Sequence, residues 1–93
     1  MAPIIFDWDE GNQTKNVTKH NISNTEAESV FADDKKIIGY DYKHSAEEMR
    51  FECVGKSLNN RILRVTFVTR NATIRIISAR VASEKEKKRY EKH

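Results

Sequence analysis

The sequence predicts an α+β fold spanning 1–93 as one domain: a short N-terminal strand, two helices, an antiparallel β-meander and a C-terminal helix. Three observations carry this. Two S-x-x-E capping boxes, Ser23 with Glu26 and Ser83 with Glu86, mark helix starts. The run "RILRVTFVT", Arg61–Thr69, alternates cleanly, with Leu63, Val65 and Phe67 on one face and Arg64 and Thr66 on the other. The turn signals "LNN" (Leu58–Asn60) and "RNA" (Arg70–Ala72) bracket that run, because Asn tolerates positive φ.

The elements follow in order. "PIIFDW", Pro3–Trp8, is apolar and β-prone, and proline is allowed at a strand start. Asp9–Asn21 reads as a polar helix capped by Asp9, with Val17 as its one clear apolar residue. Ile22–Asp34 is the clearest helix of the first half. Ile22 sits at the staple position over Ala27, and Ala27, Val30 and Phe31 mark its buried face. Lys36–Tyr42 and Arg50–Ser57 read as strands, with Phe51 and Cys53 alternating on one face of the second. Thr73–Ala79 is the last strand. Ser83–His93 is a charged helix in which Tyr90 is the only large apolar residue. The expected arrangement is a layered one with helices mainly on one face of the sheet.

Composition sets limits. Ninety-three residues support one small core, and with 38% hydrophobic and 33% charged residues that core is lean. No apolar run nears the roughly 20 residues a membrane helix needs. "MAPIIFDWDE" lacks the basic start and long apolar stretch of a secretory signal. Cys53 is the one cysteine, so no internal disulfide can form. A soluble, cytoplasmic protein with no membrane partner is the expectation. Charge is unevenly placed: residues 1–46 carry a net −3 and residues 47–93 a net +6, and every arginine lies in the second half. Arginine's planar fork suits phosphate and carboxylate, so the imbalance points to a polyanion or an acidic partner.

Several chemistries drop out. One Cys and the widely spaced His20, His44 and His93 give no metal-ligand pair, and no calcium-loop or glycine-rich phosphate-loop pattern exists. No metal or cofactor is expected. Cys53 on the alternation of Phe51 is a small core hydrophobe. What remains is Arg, Lys, His and Glu, which suffice for RNA cleavage by attack of a 2′-OH on the adjacent phosphorus. That reaction needs a base, an acid and cations around a crowded phosphorane. Histidine titrates near neutral pH, so His20 is a candidate base or acid. Lys19 is a candidate phosphate ligand, and Arg75 and Arg80 candidate bidentate clamps. Arg50 and Arg70 are candidates for RNA binding. Plainer readings stand beside these: an exposed histidine, an outward edge-strand Arg75, an Arg80 that closes a strand end, an Arg50–Glu52 ion pair and a solvated Ser83–His93 helix.

In order, "FDWDEGNQTKNVTKHNIS", "EAESVFADD", "EEMRFECVGKS" and "RIISARVASEKEKKRYE" resemble the BrnT family of bacterial type II toxins over about residues 5–91. The resemblance implies a RelE-like fold and a ribonuclease that inhibits translation. It implies a BrnA-like ribbon-helix-helix antitoxin as partner, a heterotetrameric complex, and contact with DNA only through the antitoxin. The family motifs fall on Lys19, His20, Arg50, Arg75, Arg80, Glu86 and Tyr90, and Tyr90 joins Arg50 and Arg70 as an RNA-binding candidate. Two departures are Asn21, where the family has Gly after "KH", and Asn16, where it has an apolar residue. The resulting expectation is a metal-independent endoribonuclease toxin. The alternative is a non-catalytic RNA- or protein-binding module using the same arginine-rich surface.

Overall fold

The structure, a computed structural model, describes residues 4–12 and 20–93. Strand β1 (Ile5–Phe6) is followed by helix α1 (Asn24–Ser29), which tightens into a 3-10 turn over Val30–Ala32. Strands β2 (Ile37–Tyr40), β3 (Phe51–Lys56), β4 (Ile62–Arg70) and β5 (Thr73–Val81) come next, and helix α2 (Glu84–Glu91) ends the chain. The sheet order is β1-β5-β4-β3-β2. The meander is antiparallel as expected, but β1 pairs in parallel with β5, Ile5 opposite Thr73, so the sheet is mixed. The expected helix over Asp9–Asn21 lies mostly outside the described residues. Its start is a turn instead, in which the Asp9 carboxylate accepts the Gly11 N–H at 2.8 Å.

Alternation builds the main core. Cys53, Leu63, Val65, Phe67, Ile76 and Ala79 point to one side of the sheet, where Ile22, Ala27, Val30 and Phe31 from the α1 region cover them. Gly55 allows the close approach: a Cβ there would sit 3.0 Å from Val30 Cγ1. Edge-to-face rings run from Phe6 through Phe31 to Phe67. A smaller cluster of Val54, Ala82 and Tyr90, with Ile37 and Ile62 against it, forms on the opposite side under α2. Helices therefore cover both sheet faces, not mainly one. The physical cause is Tyr90, whose ring is buried beneath α2 and whose hydroxyl donates to Asp33 Oδ2 at 2.6 Å.

The helix caps behave unequally. At α2 the reciprocal box forms: Ser83 Oγ accepts the Glu86 N–H, and the Glu86 carboxylate accepts the Ser83 N–H. At α1, Ser23 Oγ accepts the Glu26 N–H, but the Glu26 carboxylate turns inward to Arg61 and the Ser57 hydroxyl. The β4–β5 hairpin closes on Asn71 at φ 50° and Ala72 at φ 64°, the two positive values a type I′ turn needs. Alanine is strained there, because its Cβ crowds the following carbonyl. Ala72→Gly is expected to raise stability by about 1 kcal/mol, read as a higher urea midpoint with an unchanged denaturant slope.

Candidate active site

Arg75 and Arg80 are five residues apart in one strand. Strict alternation would aim them at opposite faces. A β-bulge changes this. Ser78 pairs with Thr66 and Ile76 with Phe67, so Ile77 is an extra residue and the alternation resets. Arg80 then lies directly opposite Arg64, and Arg75 opposite Val68, all on the face away from the main core. Glu52 joins them as a diagonal neighbour of Arg64 across β3 and β4.

Like charges directly opposite each other across a strand pair destabilise a sheet. Two carboxylates make the Arg64–Arg80 pair tolerable. Glu86, at the N-terminal end of α2, takes Arg80 in a fork at 2.8 and 3.0 Å and lies 3.4 Å from Arg64 Nε. Glu52 accepts from Arg64 Nη2 at 2.6 Å and Nε at 3.1 Å, and reaches Arg89 at 3.5 Å. Asp41 stands 3.7 Å from Arg64. The result is an alternating chain of charge from Arg80 through Glu86, Arg64 and Glu52 to Arg89. Further along β5, Arg75 is held by Asp9 through two 2.9 Å bonds and lies 3.5 Å from Asp7. That pair ties the segment after β1 onto β5.

These contacts set the proton affinities. Burial alone would raise the Glu86 carboxyl, but the Arg80 fork and the Ser83 N–H hold it down at about 2. Such a carboxylate is a poor base and a firm anchor. The Arg75 bond, helped by the Gly11 N–H, lowers Asp9. Burial pushes the Cys53 thiol up to about 12, which leaves it inert as a nucleophile. Burial and then the Asp33 bond raise the Tyr90 hydroxyl to about 12. Because the folded pKa of Glu86 is depressed, its contribution to stability is present above the ordinary carboxyl range and lost as pH falls toward 2. Glu86→Gln is therefore expected to be less stable than the parent at pH 7, with the gap closing between about pH 4.5 and pH 2 in denaturant titrations.

The expected site residues separate on this geometry. Arg75 and Arg80 share one face. Arg70, half exposed, pairs with Glu48 at 2.7 and 2.8 Å near the hairpin end of the same sheet. Arg50 precedes β3 and forms no ion pair among the described residues. The Arg50–Glu52 pair does not form among the described residues; Glu52 instead accepts from Arg64, its diagonal neighbour on β4. Tyr90, expected to meet RNA, is buried and bonded to Asp33, where it pins α2 to the sheet. His20 is exposed, and it makes no hydrogen bond to the arginine face among the described residues. Lys19 lies outside the described residues. Asn21 takes φ 55°, the left-handed value that Gly or Asn supplies after a helix. Arg64, Glu52 and Glu86 were not foreseen as a network. Alternation put Arg64 on the polar face, but its partners depend on strand register and on the placement of α2. Among the described residues, no three His, Cys, Asp or Glu side chains group as metal ligands, and no helix is long and apolar enough to cross a membrane.

A sheet face with paired arginines at its centre, in a small α+β domain, is suited to binding phosphate. Residues 8–86 match the family of the ribonuclease toxin, BrnT, of type II toxin-antitoxin systems, and the chain belongs to that family. The matched span contains Glu52, Arg64, Arg75, Arg80 and Glu86. No curated protein matches the sequence.

Proposed function

We propose that this chain is a metal-independent endoribonuclease with a RelE-like fold that inhibits translation by cutting RNA through attack of the 2′-OH. One observation carries the reading: Arg64 and Arg80 stand directly opposite each other, with Arg75 on the same face and Glu86 and Glu52 between and beside them. Evenly matched surface charge would avoid such a pair, whereas a pentavalent phosphorane, richer in negative charge than the ground-state phosphodiester, is stabilised by it. Arg80 uses its two Nη groups on Glu86 and Val81, and its Nε makes no bond among the described residues. That edge is available to a phosphate oxygen while the fork holds the guanidinium still. Glu86 is a positioning residue for Arg80 and Arg64. The "KH" motif supports His20 for proton transfer and Lys19, its neighbour in sequence, for phosphate binding, and Arg50 and Arg70 bind the flanking RNA.

The partner is a BrnA-like ribbon-helix-helix antitoxin, assembled with the toxin as a heterotetramer in the cytoplasm and contacting DNA on the toxin's behalf. Acidic antitoxin side chains would replace RNA phosphate on the same arginines. The test is cleavage of a defined RNA at pH 7 by wild-type protein and by His20→Ala, with the variant's fold confirmed by its unfolding curve. The expected result is a rate roughly 10²-fold lower for His20→Ala. Equal rates would remove His20 from the proton transfer.

A further inference from the structure

We infer that the outer face of α2 is a rail for the backbone of a single RNA strand, leading it onto the arginine face. The inference rests on the ribonuclease reading above. Lys85, Lys88 and Lys92 follow i, i+3, i+7 spacing, so they lie along one stripe of the helix. With Arg89 they line an open groove of about 510 Å³, whose lining also includes Glu86 on the same helix and Glu52 on β3. Those two carboxylates belong to the arginine network, so the stripe is continuous with the candidate active site. From Lys85 to Lys92 the helix rises about 10 Å, longer than one nucleotide step. Lys88, Arg89 and Lys92 lie beyond the span matched by the family.

The state of these charges distinguishes them from the arginines of β4 and β5. On the sheet, Arg64, Arg70, Arg75 and Arg80 are each already engaged by a carboxylate. On the other side of α2, Lys87 pairs with Glu84 at 3.6 Å. Lys85, Lys88 and Lys92 form no ion pair among the described residues, so their charge is available to an outside anion. RNA fits better than an acidic protein. Protein partners anchor on large apolar side chains, and the exposed ones here (Ile4, Ile5, Ile38, Tyr42, Met49, Leu58 and Val81) all lie outside this groove. Lysines spaced along a helix supply point charges with no base readout, which suits a sequence-independent track.

The experiment is fluorescence anisotropy with a 2′-O-methylated RNA 20-mer, which binds but cannot be cut, over a range of salt. Wild type is compared with Lys85→Gln/Lys88→Gln/Lys92→Gln. Three lost phosphate contacts should reduce the slope of log K against log salt by about 2 in magnitude and weaken low-salt binding at least tenfold. An unchanged slope would overturn the rail, even if wild type cleaves RNA. A reduced slope in a protein that cuts no RNA would keep the rail and overturn the ribonuclease reading. An unchanged RNA slope with lost binding to a polyglutamate peptide would reassign the stripe to an acidic protein.

Discussion

Arg80→Ala is expected to cleave RNA roughly 10²–10³-fold more slowly than wild type at saturating substrate, with much less change in RNA affinity. The reasoning is electrostatic. Arg80 is held by Glu86 at a fixed place before RNA arrives, so little reorganisation is needed as charge grows on phosphorus. A preorganised donor acts on the transition state more than on the ground state, so the loss should fall on kcat rather than KM. Arg80→Lys should recover only part of the rate, because an ammonium cannot hold the Glu86 fork and a phosphate oxygen in one plane. Unfolding curves for both variants would confirm that they remain folded. Equal kcat for Arg80→Ala and wild type would take Arg80 out of the chemistry.

Arg61→Ala is expected to cost about 3 kcal/mol of folding stability. Glu26 is 2% exposed, and its carboxylate rests on Arg61 and the Ser57 hydroxyl. The Arg61 bonds are the main reason its pKa is lowered, with burial pulling the other way. Removing Arg61 strands a buried anion, which is costlier than losing a surface ion pair. The value sits at the low end for buried pairs because Arg61 keeps a third of its side chain in water. For a domain of this size the loss should lower the melting temperature by more than 10 °C. Glu26→Gln/Arg61→Met should be milder than Arg61→Ala, since no charge is left behind. A change under 0.5 kcal/mol for Arg61→Ala would contradict this account of the α1 anchor.

Local patterns foretold the described strands and the helices after Ser23 and Ser83, and missed how they meet. The capping boxes placed both helix starts, and the alternation of Leu63, Val65 and Phe67 placed the core face of β4. Two other features depend on distant pairing. The bulge at Ile77 is invisible in "IRIISAR", where alternation separates Arg75 from Arg80, and only the β4 register reunites them. Glu26 reads as a cap residue, yet its carboxylate serves Arg61, 35 positions away. α2 has one large apolar residue, so its sequence carries no stripe to say which sheet face it covers; Tyr90 with Asp33 and Glu86 with Arg80 decide that. For the candidate site, the supply of arginine in the second half was plain from composition. The carboxylates that position it were not, because ion pairing across strands is a property of register rather than of spacing.

The central claim is that the arginine face cuts RNA with the substrate's own 2′-OH and no metal. The most direct measurement is the chemistry of the ends produced when purified protein acts on a defined RNA in EDTA. The account predicts 5′-hydroxyl ends and 2′,3′-cyclic phosphate or its opened phosphate. RNA left intact in EDTA but cut after magnesium is added, or products with 5′-phosphate and 3′-hydroxyl ends, would contradict it.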